Sequence, residues 1–173
     1  MPNDIQLFDT FHYPIPASDP NFPRLPDDLL LFGAQYYRYP TPRPTEWDKD
    51  MARMAQAGFN AIKIWAQWRS NNPAEDKFDF NDIVRLLDCA QKHGLRVVIN
   101  VIFDVAPAWF YRKYPDSMMI TGTGRTVYPC TAPSRQTGEQ PGPCYHHEAG
   151  RRTKLRFLSE LVGAVGKHPA LLI

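Results

Sequence analysis

Acid/base hydrolysis is commonly run by a pair of facing carboxylates, and no obvious pair stands out in this chain. Asp104, just past an apolar run, is the best-placed acid; it can bond a ligand hydroxyl or tie down its own loop. Glu75, Asp76 and Asp79 read as solvated charges and caps. Cys144-Tyr145-His146-His147-Glu148 groups a thiol with two imidazoles, but it fits neither Cys-x-x-Cys nor His-Glu-x-x-His spacing. Cys130 and Cys144 stand 14 residues apart and could share a metal or a disulfide. No cofactor and no metal site is expected. Arg151, Arg152, Lys154 and Arg156 read as the solvated face of a helix. The richer signal is aromatic and amide. Tyr36, Trp65, Gln67, Trp68, Arg69 and Trp109 recur near the ends of apolar runs. Flat rings cover the apolar faces of sugars, and amides satisfy their hydroxyls, so such a rim suits a carbohydrate. The same tryptophans serve equally as packing.

Residues of this kind must be held by regular elements. Leu29–Phe32, Ala61–Trp65 and Leu95–Phe103 are short apolar runs, the last rich in β-branched residues like a strand covered on both faces. Between them lie helical patterns: one from Thr45, with Thr45 capping and Asp48 completing a box, and one opening at Asn81 or Asp82 and closing at His93-Gly94. Strand–helix–strand units of about 30 residues predict crossovers in a parallel sheet. A long loop over about 104–147 breaks the rhythm. Helix Glu148–Gly166 follows, its apolar stripe read as Leu155, Leu158, Leu161, Val162 and Val165, and then a fourth strand at Ala170–Ile173. The expected class is α/β: about three and a half βα units, the N-terminal half of a (β/α)8 TIM barrel, which needs roughly 250 residues. Residues 1–28 form a proline-dotted leader, and 29–173 the partial barrel domain, ending inside its fourth strand.

Composition narrows the function. A net charge of +2 excludes a strong field for nucleic acid or acidic membranes. No apolar run is long enough for a transmembrane helix, and the acids at Asp4 and Asp9 argue against a secretory signal. Three cysteines suit a reducing compartment, the cytoplasm. Seventeen prolines, roughly double average usage, fit stiffened loops.

Several stretches, in order, carry a resemblance. They are Phe32-Gly33-Ala34-Gln35-Tyr36-Tyr37, Trp47 to Met54, Ala57-Gly58-Phe59-Asn60, Lys63-Ile64-Trp65-Ala66-Gln67-Trp68 and Pro73 to Phe80. Ala106-Pro107-Ala108-Trp109, Lys113-Tyr114-Pro115, Pro141-Gly142-Pro143-Cys144 and His168-Pro169-Ala170-Leu171 continue the series. Together they resemble the catalytic barrel of glycoside hydrolase family 42, the β-galactosidase-like enzymes. The resemblance implies a retaining mechanism. Its acid/base Glu follows an Asn just after strand four, and its nucleophile Glu follows strand seven; neither lies within these 173 residues. No catalytic residue is therefore assigned. The expected substrate-binding set is Tyr36, Trp65, Gln67, Trp68, Asp104 and Trp109 from the strand ends, with Lys63 and Arg135 added by the resemblance. Lys63 stands where many members carry Arg, and Arg135 or Arg125 would replace an Arg missing from Glu139-Gln140-Pro141-Gly142-Pro143. Cys144 is the one match to a zinc-binding set in some members, so no zinc is expected. The departures suggest a divergent subgroup. The expected activity is hydrolysis of β-galactosides or related sugars by a longer, sometimes self-associating protein, with this part alone inactive. The alternatives are a non-catalytic carbohydrate-binding or interaction module and a metal- or thiol-dependent enzyme built on Cys144, His146 and His147.

Overall fold

The structure, a computed structural model, describes residues 30–37, 41–127 and 142–172. Three parallel strands form its centre in the order β1 (Gly33–Tyr37), β2 (Ala61–Gln67), β3 (Arg96–Ile102). Ala61 to Gln67 pair in unbroken register with Arg96 to Ile102. Alternation along β2 explains its two faces. Ile62, Ile64 and Ala66 are buried in the core, whereas Lys63 and Trp65 between them are half-buried.

β1 lies later than the apolar run at Leu29–Phe32 suggests. It begins at Gly33, opposite Ala61, because the preceding residue is already spent on a lock. Phe32 donates its N–H to Asn60 Oδ1 at 2.8 Å and accepts from the backbone N–H groups of Asn60 and Ala61. Gly33 then passes so near Ala61 that a Cβ on it would lie 1.9 Å from the Ala61 carbonyl oxygen. Phe32 itself is half exposed.

Helix α1 (Pro44–Gln56) starts two residues earlier than Thr45 as a cap would give. Arg43 is the cap residue, Pro44 fills the first turn, and Glu46 Oε2 accepts the Arg43 N–H at 3.0 Å. Proline suits that position because its missing N–H would have had no partner. Asp48 is thereby freed from capping and turns to Lys92 and His93. A four-residue helix α2 (Trp68–Asn71) follows β2 directly. Helix α3 (Asn81–Lys92) begins at Asn81 as expected, its N–H received by Asp79 Oδ1 at 3.1 Å. Past its cap at His93 the chain turns at Gly94, whose φ of 72° is the left-handed conformation that glycine adopts without a Cβ clash.

The stretch after β3 is more structured than the single long loop expected. It contains α4 (Ala108–Lys113), a 3₁₀ turn (Pro115–Ser117) and a small antiparallel pair, β4 (Met119–Ile120) with β5 (Thr126–Val127). Helix α5 (Glu148–Val165) forms where expected; Leu161 and Val165 of the expected stripe are buried, and the rest of the buried line is shifted. Gly150, Lys154, Phe157, Leu161 and Val165 form its inner line, while Leu155 and Val162 are exposed. The segment after α5 joins β3 in parallel: Val97 donates to the Ala170 carbonyl and accepts from the Leu172 N–H, both at 2.8 Å. The expected fourth strand is thus present as one bridge among the described residues.

Candidate active-site rim

The C-terminal ends of β2 and β3 hold most of the residues singled out from sequence, and the structure sorts them by what their polar atoms already do. Trp68 is fully buried, with its Nε1–H donating to Asn72 Oδ1 at 3.1 Å and its ring against Phe110 and Phe103. Trp109 donates its Nε1–H to the Asn72 carbonyl at 2.9 Å. Tyr36 donates to Asp50 Oδ2 on α1 at 2.9 Å; burial, then this bond, hold its phenol well above the usual tyrosine range. Asp104 accepts from the Tyr145 hydroxyl at 2.8 Å. Burial and that carboxylate push Tyr145 up to about 12, and burial does the same to Tyr111. Arg135 lies outside the described residues.

Lys63, Trp65 and Gln67 are different. The Lys63 ammonium sits 4.8 Å over the Trp65 ring. The indole N–H of Trp65 and the amide N–H group of Gln67 are buried without a hydrogen-bond partner among the described residues. Buried donors of this kind cost roughly 1–3 kcal/mol each when left unpaired, so this pair is the part of the rim with bonds still to give. Both residues border a cavity of about 360 Å³ at the end of β2, with Trp47, Ile83 and Leu86 as apolar wall and Asn71 and Asp82 as polar wall. The register also sets Asn100 of β3 beside Trp65. It was not singled out from sequence, although a lone amide inside Leu95–Phe103 is the signal that could have found it.

Asn72 was also missed. It is fully buried and binds five ways: besides the two indoles, its Nδ2 donates to the carbonyls of Ala74 and Lys77, and its own N–H reaches the Trp68 carbonyl. Asn72→Leu keeps the branched shape, with bulkier methyl groups, but removes every side-chain bond, stranding the Trp68 N–H. It should lower the urea-unfolding free energy by about 2–4 kcal/mol; a loss under about 1 kcal/mol would show the hub to be dispensable. The loops after β2 and β3 are further joined by Arg69. Its Nε and Nη2 donate to the Ala106 carbonyl at 3.0 and 2.9 Å, and its backbone N–H to Val105 at 3.1 Å.

The His-rich stretch has structural uses. His147 caps α5, its Nδ1 accepting the Gly150 N–H at 3.2 Å, with Nε2 3.5 Å from Asp116. Cys144 is a free thiol, as is Cys89; Cys130 lies outside the described residues. Of the charges read as solvated, Glu75 pairs with Lys113, Asp76 with Arg156 and Glu148 with Arg152. Lys154 breaks that reading. It is 6% exposed, with its ammonium 3.6 Å over the Tyr145 ring and no hydrogen-bond partner among the described residues.

Burial holds the Lys154 amine below its ordinary value, partly offset by Asp104. The sign for stability follows directly. A lysine whose folded pKa lies below the unfolded one penalises folding at low pH, and the penalty fades as pH rises through the folded pKa. Urea unfolding should therefore show stability rising with pH on the alkaline side, below about 10, before the tyrosines titrate. Lys154→Met should flatten that rise and add about 1–2 kcal/mol at neutral pH, since desolvating an unpaired ammonium costs several kcal/mol and a ring face returns about 2. An unchanged pH profile in Lys154→Met would refute it.

Comparison with known proteins matches this frame. The family model described as beta-galactosidase, glycoside hydrolase family 42, matches residues 35–173. The β-galactosidase LacZ of Heyndrickxia coagulans is 26% identical over 152 residues, covering 84% of this chain and 21% of that protein. The β-galactosidase bgaB of Geobacillus kaustophilus is 31% identical over 144 residues, covering 82% and 20%. Among solved structures, the β-galactosidase of the psychrophilic Marinomonas ef1 superposes with a TM-score of 0.68 at 19% identity, covering 82% of this chain and 20% of that one. The chain thus spans about a fifth of the length of the relatives it matches. The structural likeness is one of fold, and the adjacent parallel strands with their flanking helices described above agree with it. A match running from the middle of β1 through the bridge beside β3 settles the family: the chain belongs to glycoside hydrolase family 42.

Proposed function

We propose that these 173 residues form the first part of the barrel of a retaining β-galactosidase, with Lys63, Trp65 and Gln67 in its sugar-binding rim. The observation that carries the reading is the pair of unpartnered buried donors on Trp65 and Gln67 at the end of β2. Sugar hydroxyls are acceptors of the right kind for both. The ring of Trp65 also offers a flat face, and the active sites of barrels lie where strands end. Tyr36, Trp68, Asp104 and Trp109 act through the packing and bonds that hold this rim, and Arg135 remains part of the proposed set. The acid/base and nucleophile come from chain outside these residues, so this part alone is inactive. Free thiols at Cys89 and Cys144 fit a cytoplasmic protein. No helix among the described residues is long and apolar enough to cross a membrane. Self-association of the whole protein is expected by analogy of fold.

The test compares the 173-residue chain with the product of the whole coding frame on a nitrophenyl β-galactoside, following the first-formed anomer by NMR. Hydrolysis by the longer protein alone, releasing the β-anomer first, is the expected result. Turnover by the short chain, or release of the α-anomer, would overturn the reading.

A further inference from the structure

Away from the rim, α1 and the end of α3 bring a carboxylate, a thiol and an imidazole to one place. Cys89 and His93 stand four residues apart on α3 and its cap, so both lie on the side facing α1. Asp48 of α1 reaches across, with its Oδ1 2.9 Å from His93 Nε2. The sulfur, the nitrogen and the carboxylate oxygen all lie within 4.8 Å of one another. Four-coordinate zinc, with bonds of about 2.0–2.3 Å, holds its ligand atoms about 3.3–3.6 Å apart. The 2.9 Å separation of His93 and Asp48 must open slightly to admit the ion, a small side-chain movement for an exposed carboxylate.

We infer that Asp48, Cys89 and His93 form a binding site for one zinc-class divalent cation, with water in the fourth position. Thiolate with imidazole selects borderline transition ions over magnesium or calcium. The thiol is reduced and half-buried, and the imidazole side chain is 17% exposed. The position is therefore sheltered on the protein side and open on the Asp48 side. Lys92 competes for it: its ammonium lies 2.6 Å from the same Asp48 oxygen. That side chain is 65% exposed and can swing into water when an ion arrives. Since α1 and α3 flank the same strands, the ion would clamp two helices that otherwise meet at this point through a screened surface pair.

Cobalt(II) alone is the probe, titrated into the reduced full chain. The expected result is one ion per chain, with a thiolate-to-cobalt charge-transfer band and the visible absorption of a four-coordinate ion. Cys89→Ser abolishes the charge-transfer band. Asp48→Asn and His93→Gln each weaken binding more than about tenfold, the least that even an outer partner costs. Lys92→Met tightens binding, and Cys144→Ser leaves it unchanged. A readout without variants is alkylation: zinc slows iodoacetamide modification of Cys89, followed peptide by peptide. Absence of the band together with zinc-independent alkylation overturns the site. So does a band that survives Cys89→Ser and disappears in Cys144→Ser.

Discussion

Phe157→Ala should lower the urea-unfolding free energy by about 3–5 kcal/mol, the range for deleting a buried phenylalanine. Phe157 is completely buried on the inner line of α5. Its ring centroid lies 5.4 Å from that of Phe80, 5.9 Å from Phe103 and 6.5 Å from Phe78. These partners come from the approach to α3 and from the end of β3, so one side chain holds three segments. Each is pinned elsewhere, and the space cannot close by collapse. Edge-on ring pairs add about 0.5–1.5 kcal/mol beyond burial. Phe157→Leu, which leaves most of the volume filled, should lose less than half as much. Equal losses in the two variants would show that volume is not the controlling quantity.

Gly33→Ala comes second, with an expected loss of about 3 kcal/mol or more. A methyl group there overlaps the Ala61 carbonyl oxygen at 1.9 Å and its carbon at 2.7 Å. Both are backbone atoms inside β2, which pairs on its other side with β3, so β1 must be the element that moves. Overpacking of ordinary cores costs about 1–3 kcal/mol, and a backbone clash lies at or above that range. Gly163→Ala is the contrast: a Cβ there meets nothing within 4 Å on α5. It should stabilise by about 0.5–1 kcal/mol through helix propensity and a less flexible unfolded chain. The same chemical change thus has opposite signs at two positions, and equal stability of the two variants by urea titration would defeat the argument.

The same residues explain which parts of the fold were legible. β2 and β3 were readable because their apolar runs coincide with their ladders. β1 was not, because Leu31 and Phe32 carry the hydrophobicity while Gly33–Tyr37 carries the pairing. That difference arises from the lock between Phe32 and Asn60, a contact 28 residues long in sequence. Capping was misplaced at Thr45, although Pro44 in the first turn pointed to Arg43. Helix α4 has six residues, too few for a period to appear. On α5, Leu161 and Val165 were legible, but Leu155 and Val162 widened the stripe onto the exposed side, and Lys154 hid on the buried line among three arginines. At the rim, the types of residue were readable, but their free valences were not. Trp65 and Trp68 look alike in sequence, and only the position of Asn72 decides that one indole is satisfied and the other is not. Asp48, Cys89 and His93 are 41 and 45 residues apart from first to later members, so no local motif could unite them.

The double hydrogen bond from Arg69 to the Ala106 carbonyl bears on how such barrels can be recombined. The segment after β2 carries the cation, and the segment after β3 carries the acceptor, so neither is a separable cassette. A crossover placed between Arg69 and Ala106 in a chimera of two family members would join a guanidinium shaped for one loop to a carbonyl placed by another. Crossovers before Arg69 or after Ala106 keep the two loops as a single heritable block.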